Sequence, residues 1–176
     1  MKFNLSIIAA GIIALASCST GQKMISYIDK IDSLSLALEN ETRMYENIDS
    51  NLIISYISKM DFQMDTLDSL TNISENQKIV AYTYLRKSMK MYLVENPQIL
   101  EEIEFTKKQL TDLKYDAENK LIGEKEQQLY FEKENESVKA LLEKMKMYHQ
   151  KINSQIRNYE LLNPTIDYLI DSLKLN

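Results

Sequence analysis

Residues 24–70 read MISYIDKIDSLSLALENETRMYENIDSNLIISYISKMDFQMDTLDSL, and the fold class follows from their spacing. Apolar side chains recur at three and four through Met24, Tyr27, Ile28, Ile31, Leu34, Leu38, Tyr45, Ile48, Leu52, Tyr56, Met60, Met64 and Leu67. At about 100° per residue this collects them into one stripe of an α-helix. Neither glycine nor proline interrupts the stretch, so the spacing predicts a single helix to about Leu70. The polar cluster Thr71 to Asn76 ends it, and Ser74 with Gln77 fits a capping box that opens the next helix.

A second helical region runs from about Glu75 to Asn119, and a third from near Gly123 to about Leu162, with Glu124 and Glu126 in its first turn where acids complement the helix dipole. Asn96-Pro97 and Asn163-Pro164 each read as an N-cap followed by proline at the first helical position. Kinks or breaks are expected at both, the second starting a short terminal helix. The three segments are roughly 47, 45 and 50 residues, each about 70 Å long at the α-helical rise. The expectation is an all-α fold, an elongated antiparallel three-helix bundle over residues 24–176 as a single domain. A globule of four or five helices, with real turns at the prolines, is the alternative. Composition agrees with helix: the 176 residues contain 3 glycines and 2 prolines, far fewer than strand-rich or doubly wound folds need for their turns.

The first eighteen residues have a different character. Lys2 supplies a positive start, and Leu5 to Ala16 is almost continuously apolar but shorter than the roughly 20 residues of a membrane-spanning helix. The segment ends Leu15-Ala16-Ser17-Cys18, which resembles the lipobox of bacterial lipoproteins. That resemblance implies a signal peptide over residues 1–17, and acylation of Cys18, including palmitate-type chains, as a membrane anchor. Residues 18–23 would then be the lipidated cysteine with a short tether. Cys18 is the single cysteine, so no intramolecular disulfide can form and stability must come from packing. Farther on, Glu102-x-x-x-Thr106-x-x-Gln109-Leu110-x-x-Leu113-x-x-Asp116, Tyr130-x-x-x-Glu134 and Tyr159 to Pro164 together resemble small all-helical lipoproteins of the Bacteroidetes type. Those have no assigned activity, so the resemblance brings no site residues with it.

Chemistry is marked by what the sequence lacks. His149 is the only histidine, which rules out HExxH zinc sites and the paired Glu-x-x-His motifs of di-iron bundles. No glycine-rich phosphate loop is present. Glu132, Glu134, Glu136 and Glu143 interleave with Lys133, Lys139 and Lys144 in the manner of a solvated helix face. No metal, no cofactor and no catalytic residue is therefore expected. The net charge of −5 argues against nucleic acid as a partner.

One segment is out of keeping with an acidic chain. Residues 77–94 contain Lys78, Arg86, Lys87 and Lys90 and no acid. On a helical projection Ala81, Tyr82, Leu85, Met89, Tyr92 and Leu93 share one apolar face, Val80, Tyr84 and Met91 a second, with Arg86, Lys87 and Lys90 between them. If the helix touches both neighbours, its charges answer Asp61, Asp65 and Asp68, with Asp68 opposite Lys78 and Asp61 near Arg86. If not, Tyr82, Tyr84, Arg86, Lys87, Lys90 and Met91 form a docking face. A second candidate contact is the turn at Leu121 and Ile122, which an up-down-up topology brings beside the membrane.

The functional expectation is a non-catalytic, lipid-anchored envelope module that binds another envelope protein or acts as a spacer. The alternative is a lipoprotein holding a small apolar ligand near Tyr82, Tyr84, Met89 and Met91. Ser19 after the cysteine points to the periplasmic side of the outer membrane, with the cell-surface side left open. Replacement Cys18→Ser should abolish labelling by a fatty-acid analogue and release the protein to the soluble exported fraction; unchanged membrane association would contradict the lipobox reading.

Overall fold

The computed structural model describes residues 14–70 and 76–175, and for 14–26 the backbone alone. The Cys18 side chain and most of the expected leader therefore lie outside the described residues, as do Asn72 and Ser74. Four helices account for nearly all of the rest: α1 (Ala14–Glu46), α2 (Ser50–Leu70), α3 (Gln77–Glu118) and α4 (Glu124–Lys174). No strand occurs among the described residues, and three helices pack against one another.

The chain separates into two compact units. One takes its residues from Met1–Leu38 and Phe105–Lys139, the other from Glu39–Glu104 and Ala140–Asn176. In the first, Ile31, Leu38, Leu110, Ala117 and Val138 are buried. Tyr27 donates a hydrogen bond to the Gln127 carbonyl and sets its ring edge-on to Phe131 at 5.4 Å, while Lys114 pairs with Asp32 at 2.6 Å. In the second, Ile53, Met60 and Leu67 of α2 are buried, as are Ile79, Tyr82, Met89 and Ile99 of α3 and Met145, Ile152 and Ile166 of α4. Each fully buried aliphatic side chain contributes about 1.5–3 kcal/mol.

The single long helix expected over residues 24–70 is two helices. Asp49 caps the second: its Oδ1 accepts from the backbone N–H of Asn51 at 2.9 Å and of Leu52 at 3.0 Å, the two donors that an N-cap serves. The Asn47-Ile48-Asp49-Ser50-Asn51 run offers the backbone side-chain partners in place of helical ones, and Ile48 N–H turns back to the Tyr45 carbonyl. At the start of α3 the cap is Asn76, whose Oδ1 accepts from Lys78 N–H at 3.0 Å.

Kinks or breaks were expected at Asn96-Pro97 and Asn163-Pro164, and the helix assignment is unbroken at both. Both prolines lie inside continuous helices, so no separate terminal helix begins at Pro164. A proline in a helix interior costs about 3 kcal/mol. Here the buried stripe continues across it at seven-residue spacing, from Tyr92 to Ile99 and from Tyr159 to Ile166, and that burial offsets the lost backbone hydrogen bond.

The turn between α3 and α4 lies at Asn119 to Gly123, where the sequence puts it. It is a Schellman motif: Leu121 N–H bonds the Asp116 carbonyl at 2.9 Å and Lys120 N–H the Ala117 carbonyl at 3.3 Å. Lys120 takes the left-handed conformation, φ 56°. Gly123 then caps α4, its N–H held by Glu126 Oε2 at 3.1 Å. A left-handed non-glycine residue carries about 1–2 kcal/mol of strain, and glycine adds about 0.5–1 kcal/mol of unfolded-state entropy. Lys120→Gly should therefore raise unfolding free energy by about 0.5–1 kcal/mol, and Lys120→Val should lower it, both read from urea denaturation midpoints.

Candidate functional site

The second unit holds two features that hydrophobic packing alone does not explain. The first is a buried polar knot. Gln63 occupies a core position of α2 and is 2 % exposed. Its Oε1 accepts from the Tyr82 hydroxyl at 2.6 Å, and its Nε2 donates to Asn163 Oδ1 at 2.9 Å and Asp167 Oδ1 at 2.6 Å. Asn163 Nδ2 donates to Asp167 Oδ2 at 3.2 Å, and Lys59 Nζ reaches the same oxygen at 2.9 Å. Tyr159 stacks on Tyr56 with ring centroids 3.9 Å apart and lies parallel to Tyr82 at 6.2 Å. The knot thus ties α2, α3 and α4 at one level.

Its titratable groups suit holding more than reacting. Burial raises the Tyr82 hydroxyl well above its ordinary range. Burial also acts to raise Asp167, but hydrogen bonds from Lys59, Gln63 and Asn163 outweigh it and hold the carboxyl below the usual value. A carboxylate so held is a weak base, and a phenol so raised is a weak acid. Elsewhere in this unit the hydroxyls of Thr42 and Ser88 are buried with no hydrogen-bond partner among the described residues.

The second feature is the outer face of α3. Val80, Tyr84, Lys87, Met91 and Val94 are spaced four, three, four and three apart. At 100° per residue all five fall within about 40° of the direction opposite the buried Met89. They are exposed, Tyr84 at 70 % and Val94 at 71 %. A groove of about 440 Å³ runs along this side, lined by Thr83, Arg86, Lys87, Lys90, Met91, Val94 and Glu95. Arg86 and Lys90 lie toward α2, where both bond Asp61, Arg86 at 3.0 Å and Lys90 at 2.8 Å. Glu95 turns the other way and accepts from the Tyr148 hydroxyl of α4.

The six residues expected to form one docking face are thus divided. Tyr82 is in the core, Arg86 and Lys90 are engaged by Asp61, and Tyr84, Lys87 and Met91 remain on the outer surface. The expected Asp61–Arg86 pairing is present. The residues suggested for a small apolar ligand are not brought together: Tyr82 and Met89 are fully buried, whereas Tyr84 and Met91 face away from the core. At the α3–α4 turn Leu121 is exposed and Ile122 half-buried. His149 is half-buried in the middle of α4. No group of three or more metal-ligating side chains gathers among the described residues, and no described helix is long and apolar enough to cross a membrane.

Sequence reasoning passed over Val94 and the whole polar knot. The four-three repeat carries on to Val94, and a glutamine at a core position between Met60 and Leu67 was the available sign of the knot. Compared with protein-family models, curated proteins and solved structures, the chain matches none.

Asp167, held low in the folded state, stabilises the protein above its unfolded value near 3.8, and that contribution is lost as pH falls through the lower folded value. Asp167→Asn should lower stability at pH 7 by about 1 kcal/mol, allowing for its partial exposure. The gap to wild type should shrink at pH 3; a gap of the same size at both pH values would show that charge is not what the knot uses.

Proposed function

We propose that the protein is a non-catalytic, lipid-anchored helical module of the bacterial envelope, which holds another envelope protein against the outer face of α3. The observation that carries the reading is the exposed stripe Val80, Tyr84, Met91 and Val94, opposite the face that α3 buries. A bundle helix normally carries polar residues there. An exposed apolar stripe with charged residues beside it is what a protein interaction site requires.

The anchor in this reading is Cys18, within Leu15-Ala16-Ser17-Cys18, after removal of residues 1–17. Several acyl chains hold a protein on a bilayer where one binds only marginally. Ser19 favours the periplasmic side of the outer membrane. The exposed Leu121 supports a shallow apolar contact at the α3–α4 turn. A chain with a net charge of −5 suits a protein partner and not nucleic acid.

An antiparallel arrangement of the helices belongs to the same reading. In the second unit, Met64 meets Thr83 and Asp61 meets Arg86, while Tyr82, Glu95 and Glu102 of α3 meet Asn163, Tyr148 and Lys144 of α4 in turn. In each pair of helices one number rises as the other falls, which supports opposite directions for α2 and α3 and for α3 and α4.

A photo-crosslinking amino acid at Met91 of the full-length protein in cells should give a discrete adduct with another envelope protein. The same label at exposed Ser58 on α2 should not. Adducts of equal yield and identity from both positions would overturn the assignment to α3.

A further inference from the structure

We infer that the outer face of α3 seats one acidic amphipathic helix, whose apolar seam meets Val80, Tyr84, Met91 and Val94 and which places a carboxylate at the level of Lys87; this rests on the interaction role proposed above. The spacing indicates the shape of the partner. Intervals of four and three are those of a coiled-coil seam, which another helix follows and a flat surface has no need of. From Val80 to Val94 the seam is about 21 Å long, or about four helical turns. It lies opposite the buried face of α3, so a partner can lie along it without disturbing the core.

Charge indicates the chemistry. Residues 77–94 contain four cations and no acid. Asp61 answers Arg86 and Lys90 together, one carboxylate against two cations. Lys87 is exposed at the centre of the seam and has no ion pair among the described residues. The one acid lining the groove, Glu95, is bonded to Tyr148. The face therefore presents positive charge beside apolar contacts, and carboxylates complement it.

The same arrangement disfavours a second copy of this chain. The seam is nearly symmetric about Lys87, with Tyr84 and Met91 on either side and Val80 and Val94 beyond. Two copies paired in register, parallel or antiparallel, set Lys87 against Lys87 in an apolar setting. A polar residue at one seam position selects partner and register in this way.

The test uses the full-length chain in detergent and two labelled synthetic helices about three heptads long. Both have leucine at the seam positions and glutamate on the flanks; one has glutamate at the central seam position and its twin has lysine. Fluorescence anisotropy should show the glutamate peptide binding at least about tenfold more tightly, as expected for one reversed charge contact in a seam. Lys87→Glu should invert that preference, and Tyr84→Asp should weaken both peptides. Because the preference is compared between peptides on one protein, partial misfolding of a variant cannot imitate the inversion.

Equal binding of the two peptides to wild type, or a preference that Lys87→Glu leaves unchanged, overturns the inference. So does Tyr84-dependent binding to phosphatidylglycerol vesicles without peptide preference, which assigns the face to a lipid surface. A dimer of wild type that Tyr84→Asp dissociates assigns it to a second copy. Met91 crosslinks that persist in cells with Lys87→Glu would also overturn the acidic helix, while leaving the broader interaction role in place.

Discussion

The hydrogen bond that Tyr82 donates to Gln63 sets the level at which α2, α3 and α4 meet in the second unit. Both groups lie in a seam otherwise filled by Met60, Met64, Leu67, Ile79 and Met89. Aliphatic contacts tolerate sliding, because one methyl replaces another at little cost. A buried amide or phenol does not, since leaving either without a partner costs about 1–3 kcal/mol. A slip by one turn would separate Gln63 from Tyr82 on one side and from Asn163 and Asp167 on the other. The apolar seam supplies the stability of this unit, and the knot selects the register.

Register then determines the surface. With Tyr82 at the level of Gln63, the next turns of α3 bring Arg86 and Lys90 to Asp61, and Tyr82, Leu85, Met89 and Tyr92 face inward. Val80, Tyr84, Met91 and Val94 must then face outward, because no other helix of the unit reaches that side of α3. Their exposure follows from the packing geometry and does not depend on any choice made at the surface itself.

Helix as the only element type among the described residues was legible from the three-four spacing, and so was the salt bridge between α2 and α3, because apolar periodicity and charge placement are local or nearly local signals. The interruption at Asn47 to Asp49 was hidden by the same periodicity: the stripe runs on through Tyr45 and Leu52, while the cap is a short-range competition by the Asp49 side chain. At Pro97 and Pro164 the opposite occurred. A local rule indicated kinks or breaks, and with Ile99 and Ile166 buried the helices run through both prolines without a break. Asn163 resembles a cap in sequence, yet its amide oxygen accepts from Gln63 of α2 and Tyr82 of α3. The two apolar faces of α3 were visible from the start, but which would be covered depended on the side that α2 and α4 took. That information is spread over residues from 19 to 81 positions apart.

An uninterrupted apolar seam of four turns on a helix surface would invite self-association. Lys87 works against this from the middle of the stripe, since a desolvated ammonium needs an anion beside it and a second Lys87 supplies the reverse. The same residue weakens the seam for the proposed partner relative to an apolar residue, so such a contact is weak in dilute solution. Attachment to a membrane changes that balance. A module and partner held on one surface meet at a high effective concentration, and a modest intrinsic affinity is then enough for occupancy. Under the proposed anchoring, selectivity at Lys87 and affinity from the tether are complementary: the seam can afford a charge at its centre because the lipid at Cys18 keeps the encounter local.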